Sequence, residues 1–511
     1  MNNPVKNILI LGGGSAGWLT AGLIAAEHGS ALTVTLVESP DVPTIGVGEG
    51  TWPTMRQTLG NIGVSENAFL RECDASFKQG TKFIGWRTGD SAEYYYHPFT
   101  LPQGFFEVNS IPHWQAQHAA TPFASAMCPQ EQICEQQLAP KQAATPEFAA
   151  VLNYAYHLDA VKLGHFLSNH CVNKLGVRHV RDHVVGVNLS GSGDIASLST
   201  KEQGELAADL FIDCSGSRAL LIGEHMGRKS LSRHSVLFND RALAVQVPYR
   251  EQKDPIASAT LSTALRSGWV WDIGLPTRRG VGYVYSSAHS SDEDAEAELR
   301  GYLKASMDDK AAESIELRQL QFEPGHREAF WHKNCVAVGM SSGFIEPLEA
   351  SALALVELSA SMIRDDMPAD HAVMEHAANR FNERFRYRWD RIIDFLKLHY
   401  VLSARRDTEY WRDHQDPASI PERLQELLEI WRYRAPSRLD FFQSEEIFPA
   451  ASYQYVLYGM GFETQFAEQR RRSESDDSAR RLLEENASQT RKMLQGLPSN
   501  RELLAQLCHG A

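Results

Sequence analysis

The stretch Asn7-Ile8-Leu9-Ile10-Leu11-Gly12-Gly13-Gly14-Ser15-Ala16-Gly17-Trp18 leaves the chain few folds to choose from. Ile8 to Leu11 is a short continuous apolar run, the pattern of a strand buried on both faces in a parallel sheet. It breaks into glycines and then into Trp18 to Ala26, a segment of helical composition. Gly12, Gly14 and Gly17 fit G-x-G-x-x-G: the first permits a tight turn, the second lets backbone approach a pyrophosphate, and the third lets helix pack on strand. The phosphates of a ligand would meet Gly13, Ser15 and Ala16 backbone at the positive end of the helix. A second apolar run, Leu32 to Val37, ends at Glu38, about 20 residues past the last glycine, where an acceptor for a ribose hydroxyl is expected. Strand, loop, helix, strand and terminal Glu together point to a dinucleotide site, although not to which dinucleotide.

A chain of 511 residues has room for two or three modules at about 150 residues each. Its net charge of -14 argues against a nucleic-acid surface, which needs a basic face. Short basic patches such as Arg470-Arg471-Arg472 read as solvated helix faces. The 7 cysteines (Cys73, Cys128, Cys134, Cys171, Cys214, Cys335 and Cys508) form no C-x-x-C pair, and the histidines include no H-E-x-x-H. Neither a disulfide framework nor a metal site is expected, and a reducing compartment suits the chain. Residues 8–26 are apolar enough to mimic a signal peptide, but glycines interrupt them. No other run approaches the roughly 20 apolar residues of a membrane span. A cytoplasmic location, without membrane attachment, is expected.

Further along, residues 54–79 read as helical and Tyr94 to Phe99 as an aromatic strand. Residues 100–150 lack clear periodicity and read as an insertion. Tyr154 to Asp159 leads into an amphipathic helix through His170. Short β-like runs fill 177–210, with Ser190 to Asp194 as a hairpin turn rather than a second phosphate loop. Leu210 to Gly216 reads as a strand that returns to the first sheet. Further strands are expected at Ala242–Val247, Trp269–Ile273, Val281–Ser286 and Cys335–Gly339. Beyond Pro347 the chain turns helical, through 435 and again from Ser478 to Leu507.

Several stretches, taken together, carry a resemblance over essentially the whole chain. Gly12 to Trp18 is followed by Pro43-Thr44-Ile45-Gly46-Val47-Gly48-Glu49-Gly50-Thr51, then Phe77-Lys78, then Gly268-Trp269-Val270-Trp271-Asp272-Ile273, then Phe344-Ile345-Glu346-Pro347-Leu348-Glu349. This set resembles the flavin-dependent halogenases of the tryptophan halogenase family. The Trp-x-Trp-x-Ile element discriminates best, since related flavin monooxygenases share the glycine loop. The resemblance implies a mixed α/β protein: an FAD-binding, Rossmann-like fold of the flavin monooxygenase and halogenase type with a mainly helical substrate-binding module. Residues 1–99 and 150–395 would form the first module, 100–149 and 396–511 the second.

The resemblance also implies chemistry. FAD, as FADH2, would use O2 to oxidise chloride or bromide to hypohalous acid, which a tunnel would carry to Lys78, the catalytic lysine. Glu349 matches the catalytic carboxylate, and the N–H groups of Ser351 and Ala352 match the halide site. Gly12, Gly13, Gly14, Ser15, Ala16, Gly17, Glu38, Val185, Asp213, Met340 and Leu353 would contact the cofactor. Trp269 and Trp271 would be structural, keeping substrate away from the flavin. His97 and Phe99 match aromatic walls around an indole, with Phe448 where a Trp is usual. A small aromatic molecule and a separate flavin reductase are the implied partners, because no second nucleotide loop is present for NAD(P)H; the assembly would be a monomer or a homodimer.

Three departures refine the expectation. Glu349-Ala350-Ser351-Ala352 stands where Glu-Ser-Thr-Gly is usual, so a hydroxyl beside the acid is missing. Ile273 continues into Gly274 rather than Pro. Phe441-Phe442 lies where tryptophan-binding members carry a Tyr-Tyr pair that clamps the amino-acid head group. The expected substrate is therefore indole-like, without that head group. A flavin-dependent aromatic hydroxylase and a catalytically silent flavin-binding relative are the alternatives; the first leaves the two tryptophans and the Lys78 and Glu349 pair unexplained.

Overall fold

The computed structural model describes residues 3–42, 48–443, 446–468 and 471–509. Pro43 to Val47 and Arg470, invoked above, lie outside the described residues. The chain forms two compact units, one of Met1–Ala75, Leu158–His234 and Phe322–Trp389, the other of Ser76–His157, Ser235–Gln321 and Asp390–Ala511.

The first unit is built on a six-stranded sheet in the order Trp331–His332, Cys335–Ala337, Leu210–Asp213, Asn7–Leu11, Thr33–Glu38, Arg178–Arg181. Every neighbouring pair is parallel except Trp331–His332. The apolar run fills the middle: Ile10 pairs with Leu36 on one side and Ile212 on the other, and is fully buried. Leu9, Leu11, Val37, Phe211, Leu221, Ile222 and Cys335 form one continuous core. Val184–Leu189 and Ile195–Thr200 pair as the antiparallel hairpin expected around Ser190–Asp194. The helix Ala160–Leu175 starts where the Asp159 carboxylate accepts from Val161 and Lys162 N–H, and stops at left-handed Gly176.

The second unit is organised by a seven-stranded sheet: Arg318–Gln321, Arg241–Pro248, Arg278–Tyr285, Gly268–Gly274, Thr260–Ala264, Gly80–Ile84, Tyr94–Pro98. Its pairs are antiparallel except for Thr260–Ala264 with Gly80–Ile84. Alternation along Gly268–Gly274 puts Trp269 and Trp271 on one face, with centroids 6.4 Å apart, and Trp269 meets Trp86 at 6.3 Å. A Cβ on Gly282 would lie 2.2 Å from the Trp271 ring, so this glycine makes the room that the indole fills.

Two expectations need correction. Residues 54–79 are not one helix: left-handed Gly63 ends Thr54–Ile62, the Ser65 hydroxyl caps Glu66–Glu72, and Ser76–Lys78 is a strand. The 100–150 stretch, whose sequence shows no clear periodicity, holds three short helices, Ile111–Gln117, Phe123–Met127 and Gln130–Glu135. The C-terminal helical segment is two helices, Asp476–Gly496 and Asn500–His509, separated around Pro498, which has no N–H to continue the first. Within the second unit, Gly80–Ile84 hydrogen-bonds to Thr260–Ala264 and Phe83 stacks on His399. Among the described residues, no helix is long and apolar enough to cross a membrane, no His/Cys/Asp/Glu group has the makings of a metal site, and Cys73, Cys128, Cys134, Cys171, Cys214 and Cys335 form no disulfide.

Candidate active site

In the first unit the glycine loop has a geometry that only its residues allow. Gly12 has φ 121°, and a Cβ there would sit 2.1 Å from the Cys214 carbonyl oxygen. A Cβ on Gly17 would fall 1.9 Å from the Gly12 oxygen, and one on Gly13 would overlap the Glu38 carboxylate. At Gly14, by contrast, nothing lies within 4 Å. The side opened by Gly14 leads to the start of the helix Ser15–His28, which has no side-chain cap and no acid in its first turn. Its leading N–H groups are therefore presented to an anion. Glu38, carried to the end of its strand, accepts from His179 Nε2 at 2.9 Å and lies across Gly13, a carboxylate beside a phosphate cradle. These residues fit a dinucleotide such as FAD.

The other cofactor candidates fall into distinct classes. Asp213 is fully buried and its carboxylate is already engaged: one oxygen accepts from Ser215 N and Oγ, the other from Leu221 and Ile222 N–H at 2.8 and 2.9 Å. It shapes its own loop, and burial raises its pKa in spite of those donors. Met340 lies in the turn Gly339–Ser341, which packs against the glycine-loop helix; a Cβ on Gly339 would be 2.8 Å from Ala16 Cβ. Val185 is 67% exposed, at the Glu38 end of the sheet, where Asp182 N–H donates to the Glu38 carbonyl at 3.0 Å.

Glu349, also in the first unit, sits on an unusual turn. It is buried and has φ 65°, and the next residue, Ala350, has φ 55°. Two successive non-glycine residues in the left-handed region cost energy and are kept only where the surroundings impose them. The turn leads into Ser351–Asp365, whose N-cap, Ala350, offers no side-chain hydrogen bond. The N–H groups of buried Ser351 and of Ala352 stand in the first turn, and Leu353 is buried just behind them. Farther along this helix Glu357 is buried and accepts from the hydroxyls of Thr54 and Thr58. Burial outweighs both donors and raises its pKa from 4.5 to about 8. A carboxyl held protonated by folding adds stability in full below the unfolded value of 4.5, and that stability is lost as pH rises towards 8. Glu357→Gln is accordingly expected to flatten the fall in melting temperature between about pH 5 and pH 8; an unchanged slope in a Tm–pH series would refute this.

The second unit carries Lys78 on the strand Ser76–Lys78, where it pairs with Ala155 and is 1% exposed. Its Nζ lies 5.4 Å from the Phe99 ring centroid, within cation–π range. Phe99 N–H donates to the Gln79 carbonyl, so the ring is tied to the residue following Lys78. His97 is buried beside Phe395, Tyr455 and Phe448, at 5.6, 6.4 and 6.5 Å. Phe448 in turn stacks on Phe395 at 3.9 Å. Lys78, Phe99, His97 and Phe448 thus belong to one lysine-bearing, aromatic-lined part of this unit. His157 lies on the same face of the strand pair as Lys78. Its Nε2 is 2.8 Å from Thr260 Oγ1, and burial, with the Lys78 charge, holds it well below the usual imidazole range. It is a neutral ring beside a lysine.

The family model described as tryptophan halogenase matches residues 7–475. The chain belongs to this family. The solved tryptophan halogenase from Shewanella frigidimarina is 51% identical to this halogenase, with a TM-score of 0.96 over 99% of this chain and 98% of that one. Tryptophan 6-halogenase SttH of Streptomyces toxytricini is 33% identical over 483 residues, 90% of either chain, and its crystal structure superposes with a TM-score of 0.91. Tryptophan 7-halogenase RebH of Lentzea aerocolonigenes is 31% identical over 539 aligned positions, 99% of each protein. The mixed α/β fold agrees with these structures, and the halogenase is a flavin-dependent enzyme by family.

Sequence reading missed Phe395, Tyr455 and His157 as neighbours of the expected residues. The alternation Tyr154-Ala155-Tyr156-His157 could have placed His157, since a partner strand for Phe77-Lys78 has to present one face to Lys78. Phe395 sits inside a helix rich in aromatics and carries no mark that separates it from core.

Proposed function

We propose that this halogenase installs chloride or bromide on an electron-rich, indole-like aromatic that lacks the amino-acid head group of tryptophan, using FADH2 from a separate reductase in the cytoplasm. Reduced FAD with O2 supplies the two-electron oxidation that converts halide to hypohalous acid. The remaining work falls to the chain. The Ser351 and Ala352 N–H groups hold the halide. Lys78 donates a hydrogen bond to the hypohalous acid, which polarises the O–X bond and fixes the halogen against the ring. The arene attacks the halogen and the O–X bond breaks to release hydroxide; Glu349 takes the proton from the cationic ring and gives it up to that hydroxide, giving ArX and water from ArH and HOX. Trp269 and Trp271 keep the arene from the flavin.

The observation that carries the reading is Lys78, buried to 1% beside Phe99 in the aromatic-lined part of its unit. A charged lysine is almost never buried without a purpose, and this one stands among rings suited to an arene. The substrate class follows from Phe441 and Phe442. Phe441 packs on Tyr453 at 4.7 Å and Phe442 is 85% exposed; neither has a hydroxyl to grip a carboxylate. With a flavin reductase, NADH, FAD and bromide, indole is expected to be converted at least tenfold faster than tryptophan, roughly the discrimination of one lost polar clamp. Product without the reductase would refute the two-component reading, and preferred conversion of tryptophan would refute the substrate class.

A further inference from the structure

The left-handed turn at Glu349 and Ala350 must be held by something other than its own sequence, since neither residue is a glycine. In a regular helix the Glu349 carbonyl would accept from Leu353 N–H four residues on, and the N–H groups of Ser351 and Ala352 would point back at the carbonyls of Pro347 and Leu348. Instead the Glu349 carbonyl accepts from the indole Nε1 of Trp52, at 2.7 Å. Trp52 stands just before the helix Thr54–Ile62, and its own carbonyl accepts from Met55 N–H at 3.0 Å. One turn apart on that helix, Thr54 and Thr58 both donate to Glu357, in the same helix that Glu349 precedes. Two contacts therefore fix the pair of helix starts against each other: the threonine pair on Glu357, and the indole on the strained carbonyl.

We infer that Trp52 is a positioning residue for the halide site, its indole N–H standing in for the intrahelical bond that the Glu349 carbonyl gives up and so keeping the Ser351 and Ala352 N–H groups turned outward. The inference rests on the proposed role of those N–H groups. Trp52 acts by denying the turn its relaxed, helical alternative. A smaller ring without the N–H at this position leaves the turn to relax, and anion affinity falls while the aromatic-binding part of the chain is untouched.

Trp52→Phe, with 3-benzothienylalanine at position 52 as a same-shape replacement should the Phe variant fold poorly, tests this. The Michaelis constant for bromide is expected to rise about tenfold, the size of one displaced hydrogen bond, with FAD affinity and the Michaelis constant for the aromatic unchanged. Crystals soaked in bromide without flavin should show φ at Glu349 moving to negative values and the anomalous bromide peak at Ser351 and Ala352 weakening. Adding Ala350→Gly, which occupies the left-handed region at no steric cost, should restore part of the bromide affinity. A turn unchanged without the indole N–H overturns the clamp alone. A turn that relaxes while bromide binds as before overturns the halide-site reading, and the inference with it.

Discussion

Lys78→Met is expected to lower halogenated product by about a thousandfold or more, the effect of deleting a donor aimed at the reacting group in a dry site, while FAD binding and melting temperature stay close to those of the parent. Met is one atom shorter than Lys78 but keeps an unbranched apolar stem, so the packing towards Phe99 and the pairing with Ala155 survive. Losing the ammonium also removes a charge that weighs on His157, whose imidazole should then titrate nearer to its ordinary range. That second readout, by NMR of the His157 ring in the FAD-free protein, reports on the electrostatics independently of turnover. Unchanged product by mass spectrometry would move the chemistry away from Lys78.

How much of this could be read from the residues depends on how local the cause is. The glycine loop was legible because each constraint is a backbone one: φ 121° at Gly12, and approaches near 2 Å that no Cβ tolerates at Gly12 or Gly17. The strand Leu210–Asp213 was legible for the same reason as Ile8 to Leu11, an unbroken apolar run between turn residues. Ser76–Lys78 was misjudged as helical because three residues carry no period, and its strand character comes from a partner about 80 positions away, Ala155–His157. Asp213 is expected at the cofactor only through the family resemblance. Its carboxylate is taken by Ser215, Leu221 and Ile222, a local hydrogen-bond pattern that the sequence does not announce. The left-handed pair at Glu349 and Ala350 was invisible, since its cause, the Trp52 indole, lies nearly 300 residues earlier.

Gly14→Ala should separate cofactor binding from folding more cleanly than any other change in the loop. Gly14 has φ -77° and ψ -176°, ordinary extended backbone for any residue, and nothing within 4 Å would meet a new Cβ. The FAD-free variant should therefore fold with a melting temperature close to that of the parent. The added methyl would stand where the pyrophosphate has to approach the N–H groups of the helix Ser15–His28. Losing two charge-assisted hydrogen bonds there weakens FAD by a hundredfold or more, at roughly 1.5–3 kcal/mol apiece. Gly12→Ala makes the contrast: its Cβ strikes the Cys214 carbonyl oxygen whether or not flavin is present, so thermal stability falls first and flavin binding with it. Flavin titrations and melting curves of the two variants decide the matter. If Gly14→Ala bound FAD as tightly as the parent, the open side of the loop would not be the phosphate site, and the cofactor would have to enter elsewhere along the sheet.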